Sequence, residues 1–149
     1  MIDPHAFAAE LVRHDFLELV GVPDSTLEGL LTAMPQTVSR HIVSHESLAV
    51  AWAIGHYAAT GSTPVIFCQN SGLWNMVNPI TSLAAPEVFA CPILYLIGWR
   101  RHQNDQPQHQ MMGRKTIELV ELLDLEYAVV QSDRLGVEQA VSCLRERRA

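Results

Sequence analysis

Short apolar runs alternate with helical stretches along the chain, and this alternation limits the possible folds more than any other feature. Two of the runs, Val65–Cys68 and Ile93–Ile97, are apolar at every position. Such runs are typical of strands buried on both faces of a parallel sheet. Parallel strands need crossover connections, usually helices, which cover the sheet. We therefore expect an α/β fold, a three-layer sandwich with a mainly parallel sheet.

Local signals place the individual elements. The predicted strands are Phe16–Val22, Ser39–Val43, Val65–Cys68, Ile93–Trp99 and Tyr127–Val130. The predicted helices are Pro4–Arg13, Asp24 or Ser25 to Met34, Glu46–Thr60, Leu73–Leu83, Thr116–Leu123 and Gly136–Arg147. Ser25 and Glu28 have the spacing of a capping box, and Gly61 stands where a helix commonly ends. Arg100 to Gly113 is predicted to be a long polar loop.

The size and composition indicate one domain that hides part of its surface. The 149 residues are enough for a single core, so residues 1–149 are predicted to form one domain. Hydrophobic residues make up 48% and charged residues 17%, fewer charges than an average soluble domain has. This balance favours an oligomeric partner.

The net charge, the cysteine spacing and the length of the apolar runs argue against several classes of function. The net charge is -6 and no basic cluster is flanked by aromatic residues, so nucleic-acid binding is not expected. Cys68, Cys91 and Cys143 lack the Cys-x-x-Cys spacing of a zinc site. The sequence has neither a signal peptide nor an apolar run of membrane-spanning length, so we expect a cytoplasmic location and no membrane partner.

Glu46 is the first candidate functional residue. In parallel α/β folds, ligands bind beyond the carboxyl ends of the strands, and Glu46 follows the strand Ser39–Val43. Glu46 opens a helix that is apolar nearly all round, so we expect this helix to be buried. One interpretation is that the carboxylate only stabilises the positive helix N-terminus. The other is that partial desolvation prepares the carboxyl to share a proton.

Two further polar segments follow strands. Gln69 to Pro79 contains one Gln and three Asn residues in a largely apolar stretch, which is more than turn formation requires, although Asn, Ser and Gly are ordinary turn residues. Arg100 to Lys115 is rich in cations and hydrogen-bond donors, among them His102, His109 and Arg114. This second segment either meets an anionic substrate or is a solvated loop.

The motifs in these segments resemble one known family. They resemble the phosphonopyruvate decarboxylase and sulfopyruvate decarboxylase alpha subunit family of thiamine-diphosphate enzymes in order and spacing over almost the whole chain. The matching segments are Gly21-Val22-Pro23-Asp24-Ser25, Glu46, Gln69-Asn70-Ser71-Gly72-Leu73 with Asn75 and Asn78-Pro79, Gly98-Trp99-Arg100, Pro107-Gln108-His109 and Met112-Gly113-Arg114. The resemblance implies that the chain has the fold of the family's pyrimidine-binding domain.

The resemblance also implies roles for particular residues. Glu46 would hydrogen-bond the aminopyrimidine ring of thiamine diphosphate and activate it as the catalytic residue. The expected cofactor-binding residues are Glu46, Gly72, Leu73 and Asn75. The expected substrate-binding residues are Asp24, Ser25, Asn70, Ser71, Arg100 and His109. The substrate would be a small anionic 2-oxo acid, with phosphonopyruvate converted to phosphonoacetaldehyde and carbon dioxide.

Other family features are changed or missing in this sequence. Trp74 stands where Gly is common, and His45 and Ser47 flank Glu46 where relatives often carry other polar residues. The Gly-Asp-Gly motif of the family's diphosphate-binding domain, whose ligands hold Mg²⁺, does not occur in these 149 residues. We therefore expect a beta subunit that carries the diphosphate and Mg²⁺ site, paired with this chain in a hetero-oligomer.

Three alternatives to phosphonopyruvate decarboxylation stay open at the level of sequence. The first is decarboxylation of sulfopyruvate or another anionic 2-oxo acid with the same cofactor. The second is a carboligase, in which an aldehyde rather than a proton traps the carbanion. The third is a non-catalytic regulatory subunit, against which the presence of Glu46 argues.

Overall fold

The computed structural model describes residues 2–100 and 106–130. Its strands and helices follow one another in the alternating order that the sequence predicts. They are α1 (Pro4–Arg13), β1 (Glu18–Gly21), α2 (Glu28–Ala33), β2 (Ser39–Ile42), α3 (Glu46–Thr60), β3 (Val65–Gln69), α4 (Leu73–Pro79), β4 (Leu94–Gly98) and α5 (Pro107–Leu122). A 3₁₀ turn, Asn70–Gly72, leads into α4, and a π-helical turn, Ile80–Ala84, follows it.

The four described strands form one all-parallel sheet in the order β2-β1-β3-β4. The central pair, β1 and β3, aligns Val20 with Ile66. All the pairings are parallel, so the carboxyl ends of the strands lie at one edge of the sheet. The predicted α/β fold with a parallel sheet is confirmed.

Alternate strand residues bury against helices on opposite faces of the sheet. Leu19, Val65 and Phe67 pack in one core cluster with residues of α1 and α2. Val20 and Ile66 pack in a second cluster with residues of α3, α4 and α5. The central strands β1 and β3 therefore bury both of their faces, as the continuous apolar run of β3 predicts, whereas the edge strand β2 is partly exposed. The molecule has three layers.

Local caps explain why two predicted helices have the predicted bounds. Helix α1 begins after Asp3, whose carboxylate accepts a hydrogen bond of 2.9 Å from the His5 backbone N–H. Helix α3 ends at Gly61, which has a φ of 71° in the left-handed region. A side chain that accepts from the first turn and a left-handed glycine after the last are both short-range signals.

The predicted start of α2 is wrong. The helix begins at Glu28, and neither Ser25 nor another side chain caps it, so the expected capping box does not form. Instead, the Asp24 carboxylate accepts hydrogen bonds from the backbone N–H and the hydroxyl of Thr26. An aspartate that bonds the backbone two residues ahead favours a turn over a helix. Residues 24–27 are consequently left outside α2.

Two predictions near the end of the described chain are also wrong. Helix α5 begins at Pro107, so the second half of the predicted polar loop is helical, with proline in the first turn, where its missing N–H costs nothing. Tyr127–Val130 is not a strand and pairs with none of the described strands. The Tyr127 hydroxyl instead donates a hydrogen bond of 3.1 Å to Glu121. The predicted helix Gly136–Arg147 lies outside the described residues.

Helix α3 is less deeply buried than its sequence predicts. Ala49, Val50 and Ala53 are buried, whereas Leu48 is 52% exposed. The helix therefore buries only one of its faces in the described structure. No helix among residues 2–100 and 106–130 is long and apolar enough to cross a membrane.

Candidate functional site

The polar residues singled out in the sequence gather where the parallel strands end. Asp24 and Ser25 follow β1, Glu46 follows β2, and the turn Asn70–Gly72 follows β3 directly. Arg100 follows β4. This edge is where parallel α/β proteins bind ligands. The contacts divide these residues into two groups, one around Glu46 and one around Arg100.

Glu46 is held by a residue from the neighbouring helix. It is the first residue of α3, and its side chain is partly buried. The Asn75 Nδ2 atom, in α4, donates a hydrogen bond of 2.7 Å to Glu46 Oε2. Among the described residues, no group donates a hydrogen bond to Glu46 Oε1. The arrangement therefore fixes one carboxylate oxygen and leaves the other able to bond a ligand.

Gly72 lets the backbone pass close to this carboxylate. A Cβ atom built on Gly72 would lie 2.5 Å from Glu46 Oε1 and 2.7 Å from Glu46 Cγ. Both distances are far shorter than van der Waals contact, so only glycine fits here without moving Glu46. The Gln-Asn-Ser-Gly turn is consequently more than a turn former, because its glycine forms one wall of the Glu46 site.

Two residues that flank Glu46 brace the same site, and neither was among the predicted site residues. The His45 side chain caps α3 by accepting a hydrogen bond from the Ser47 backbone N–H at 3.3 Å. The Ser47 hydroxyl lies 2.6 Å from His45 Nδ1 and donates to the Asn75 carbonyl at 3.1 Å. Ser47 thus ties the start of α3 to the helix that carries Asn75. In the sequence, only its position beside Glu46 could have indicated this role.

Cys68 lies beneath the site, near two carboxylates. Burial raises the pKa of the Cys68 thiol to about 12, and the negative charges of Glu46 and Asp24 add to that rise. The thiol is therefore uncharged at neutral pH and acts as a small apolar core side chain.

The second group surrounds the Arg100 guanidinium. The Nη2 atom donates a hydrogen bond of 3.0 Å to the Ser25 hydroxyl, and Nη1 lies 3.4 Å from His109 Nδ1. The Nε atom lies 3.9 Å from Asp24 Oδ1, and the Asp24 side chain is only 3% exposed. A buried carboxylate next to arginine orients the guanidinium. Arginine, histidine and serine are together suited to bind a small anion.

Asn70 occupies a different place from the one expected of a substrate contact. It is fully buried, and its Nδ2 atom donates to the Arg100 carbonyl at 3.2 Å and to the Thr116 hydroxyl at 2.8 Å. No described residue donates a hydrogen bond to Asn70 Oδ1, although that atom is buried. The side chain connects β3 to β4 and α5 from within the protein.

The remaining predicted site residues and their neighbours lie partly at the surface and partly in the core. Ser71 is exposed and accepts a hydrogen bond of 2.7 Å from Gln69, whereas Leu73 is 1% exposed and packs in the core behind the Glu46 site. Trp74 is 50% exposed and donates from Nε1 to Met112 Sδ at 3.1 Å. Lys115, one of the loop cations, lies in α5 and pairs with Glu118. His102 lies outside the described residues.

The part of the chain that the structure describes holds no cluster of three or more His, Cys, Asp or Glu side chains arranged to bind a metal ion. The donors around Glu46 are one carboxylate and one amide, a set that fits a neutral nitrogen heterocycle better than a divalent cation. The Mg²⁺ expected with the cofactor would need ligands from other residues.

Comparison with known proteins identifies the family to which the chain is similar. Residues 4–119 match the family described as thiamine pyrophosphate enzyme, N-terminal TPP binding domain. A phosphonopyruvate decarboxylase of Streptomyces viridochromogenes is 37% identical in an alignment of 134 positions that covers 87% of this chain and 33% of that protein. A phosphonopyruvate decarboxylase of Streptomyces hygroscopicus is 35% identical with the same coverage. The chain therefore spans about a third of the length of these curated relatives.

Solved structures share the fold at lower identity. The benzoylformate decarboxylase from Polynucleobacter necessarius superposes with a TM-score of 0.60 at 19% identity, covering 72% of this chain and 20% of that one. The thiamine diphosphate-dependent 4-hydroxybenzoylformate decarboxylase of Rhodococcus jostii gives a TM-score of 0.56 at 22% identity, covering 67% and 19%. At these identities the likeness establishes a common fold alone.

Proposed function

This chain belongs to the family of N-terminal, thiamine-pyrophosphate-binding domains of thiamine pyrophosphate enzymes, and from that premise we propose that it forms the pyrimidine-binding half of a 2-oxo acid decarboxylase. The proposed reaction converts phosphonopyruvate to phosphonoacetaldehyde and carbon dioxide. One observation carries the proposal: Glu46 opens α3 at the ligand-binding edge of the sheet, with Asn75 holding one of its oxygens and Gly72 against the other.

The residues around Glu46 fit the aminopyrimidine of thiamine diphosphate. A ring nitrogen of that heterocycle needs a carboxyl group that can share a proton with it. Glu46 Oε1 is the oxygen that no described residue hydrogen-bonds, and the missing Cβ of Gly72 gives the carboxylate the space that it occupies. When bound, thiamine diphosphate supplies the electron sink that decarboxylation of a 2-oxo acid requires.

Glu46 has two tasks in this proposal. Its Oε1 holds the proton shared with the pyrimidine ring, and its fixed position orients that ring. Asn75 keeps Oε2 in place at 2.7 Å, so the carboxylate does not have to reorganise when the cofactor binds. Ser47, which bonds the Asn75 carbonyl, keeps the two helices in register.

The Arg100 group supports an anionic substrate. Phosphonopyruvate carries a phosphonate in addition to its carboxylate, so its recognition requires cationic and hydrogen-bond-donating groups. Ser25 and His109 each lie within hydrogen-bonding distance of Arg100, which is next to the buried Asp24. The names of the relatives from two Streptomyces species support phosphonopyruvate in particular. A sulfonate has a similar shape and charge, so sulfopyruvate is the competitor that the assay must include.

The remainder of the cofactor site is proposed to come from a partner subunit. Thiamine diphosphate also needs ligands for its diphosphate and Mg²⁺, and we assign both to a beta subunit in a hetero-oligomer. Three exposed apolar side chains, Ile42, Leu48 and Trp74, lie in or beside the strand and helix ends that form the Glu46 site, and are 62%, 52% and 50% exposed. Exposed apolar surface next to a ligand site is typical of an interface.

The test of the proposal is reconstitution with a defined set of substrates. The chain is co-expressed with the product of a neighbouring gene that encodes a diphosphate-binding domain, and the complex is supplied with thiamine diphosphate and Mg²⁺. Carbon dioxide release is then measured from phosphonopyruvate, sulfopyruvate and pyruvate. We expect the highest kcat/KM with phosphonopyruvate. A complex that binds the cofactor but releases no carbon dioxide from any of the three would contradict the decarboxylase assignment.

A further inference from the structure

The amide of Asn70 connects the two elements that carry the anion-binding side chains. One N–H bond of Nδ2 points to the carbonyl of Arg100, at the end of β4, and the other to the hydroxyl of Thr116, in α5. Arg100 follows β4, and His109 lies in the first turns of α5. A single side chain after the end of β3 therefore joins the backbone of Arg100 to the helix that carries His109.

The hydrogen-bonding logic of this connection allows only one orientation of the amide. The Met112 carbonyl can only accept, so the Thr116 hydroxyl gives it its one proton, at 2.7 Å. The hydroxyl oxygen must then accept from Asn70, and the Arg100 carbonyl must accept as well. Both bonds need N–H donors, so the amide nitrogen faces them and the amide oxygen cannot replace it.

The burial of the amide agrees with this orientation. Asn70 is fully buried, and no described residue donates to its Oδ1 atom. Leaving a buried acceptor without a donor is unfavourable. Because the Oδ1 atom stays without a donor despite this cost, we infer that the amide acts here through its two N–H groups and not through its carbonyl oxygen. Thr116, at 4% exposed, is equally unable to reach a ligand in solvent.

Two tryptophan side chains also hold the turn of α5 that contains Met112 and Gly113. Trp99 Nε1 donates a hydrogen bond of 2.9 Å to the Gly113 carbonyl, and Trp74 Nε1 donates to Met112 Sδ at 3.1 Å. Residues 109, 112, 113 and 116 lie on one face of a helix because they are three or four positions apart. Anchoring residues 112, 113 and 116 therefore sets the position of His109, one turn earlier.

From these contacts we propose that Thr116 and Asn70 are positioning residues that place Arg100 and His109 for the anionic group of the substrate, and that neither touches the substrate. The inference rests on the proposed function, because it takes Arg100 and His109 as the groups that bind the anion. It changes the expected role of Asn70 from a substrate contact to an internal support, and it adds Thr116 to the site.

The test compares Thr116→Val with Thr116→Ser in the reconstituted complex. Valine keeps the shape of threonine but removes the hydroxyl, whereas serine keeps the hydroxyl. We expect Thr116→Val to raise the KM for phosphonopyruvate about tenfold, the scale of losing one buried hydrogen bond, with little change in kcat. The KM for pyruvate, which lacks the second anionic group, and the affinity for thiamine diphosphate should stay within about twofold of wild type on the same reasoning.

Two further variants keep the test decisive. Thr116→Ser should restore the wild-type KM. Thr81→Val is the matched control, since the Thr81 hydroxyl also bonds helix carbonyls, those of Val77 and Asn78, but lies in the exposed turn after α4. If Thr116→Val does not fold, Asn70→Asp replaces it, because aspartate has the shape of asparagine without its two N–H donors.

Binding of phosphonoacetate, followed by ³¹P NMR, separates this inference from the proposed function. Weaker phosphonoacetate binding by Thr116→Val, restored in Thr116→Ser, supports the positioning role even if the wild-type complex decarboxylates none of the 2-oxo acids. Unchanged binding and KM in Thr116→Val would overturn it. So would an equal rise in the KM values for phosphonopyruvate and pyruvate accompanied by a lower melting temperature, because that pattern reports only a loss of structure.

Discussion

Asn75 and Glu46 belong to two different helices, and the Asn75 side chain donates a hydrogen bond of 2.7 Å to the Glu46 carboxylate. The bond joins the start of α4 to the start of α3 at the edge of the sheet where ligands bind. The protein therefore holds one oxygen of the carboxylate and leaves the other for a ligand. The predictions below test these separate roles of the two oxygens and the contacts around them.

Gly72→Ala should disable the Glu46 site without unfolding the domain. The added methyl would lie 2.5 Å from Glu46 Oε1 and would push the carboxylate away from its position. A displacement of this kind near the reacting groups lowers kcat/KM by about 10²-fold. Steady-state kinetics and a titration with thiamine diphosphate measure the effect.

Gly55→Ala is the control for that substitution. Gly55 lies inside α3, and no atom is within 4 Å of the position that its Cβ would take. Alanine there should raise the free energy of unfolding by about 0.5–1 kcal/mol, because it favours the helix, and should leave kcat/KM unchanged. Equal activity losses in both variants would show that any added methyl in this region is harmful, and Gly72 would lose its assigned role.

Arg100→Ala should affect substrates according to their charge. The guanidinium lies 3.0 Å from the Ser25 hydroxyl and 3.4 Å from His109, where it can bind a phosphonate. Losing a charge-assisted hydrogen bond should raise the KM for phosphonopyruvate by about 10- to 10²-fold. The KM for pyruvate should change far less. Arg13→Ala, which removes an exposed arginine paired with Glu10 on α1, is the control. Similar KM increases for both substrates in Arg100→Ala would argue against anion recognition by this residue.

The Cys68 thiol should remain unreactive and uncharged in the folded protein at pH 8. Burial raises its pKa from 9.0 to about 12, with further contributions from Glu46 and Asp24. Modification by iodoacetamide requires the thiolate, so the native protein should react at Cys68 only after unfolding. Peptide mapping by mass spectrometry at pH 8 tests this. Fast labelling of Cys68 in the native protein would contradict its burial.

The same pKa shift predicts how stability depends on pH. Below pH 9 the thiol is protonated in both the folded and the unfolded states, so its contribution is fully present. As the pH rises from 9 towards 12, the unfolded state loses the proton first, and the folded state loses stability by up to about 1.4 kcal/mol per pH unit. Urea unfolding at pH 8 to 10.5 should show a steeper decline for wild type than for Cys68→Val.

The sequence specified most of the fold because its strongest signals are local. Helices α1 and α3 have the predicted bounds, since proline, the preceding cap residue and Gly61 act within a few residues of each helix end. The start of α2 was mispredicted because Asp24 and Ser25 both suit a cap, and only the fold shows that Asp24 bonds Thr26 instead. Pattern analysis cannot rank two local hydrogen bonds that exclude each other.

The site was partly predictable, for a different reason. Glu46, Gly72 and Asn75 were identified together through their family motif, and the structure brings them into contact. Thr116 was missed because a threonine within a helical segment has no distinguishing pattern. Its partner, Asn70, lies 46 positions earlier in the chain. Contacts of such long range depend on the packing of β3 against α5, which periodicity does not encode.

The turnover of Glu46→Gln in the reconstituted complex tests the central claim most directly. Glutamine keeps the size of the side chain and its ability to accept a hydrogen bond from Asn75, but it cannot share a proton with the pyrimidine ring. We predict that kcat for phosphonopyruvate falls by about 10²-fold or more, the scale of losing a positioned proton-transfer group, while the melting temperature stays unchanged. A Glu46→Gln complex that turns over within about twofold of wild type, well inside that scale, would contradict the account.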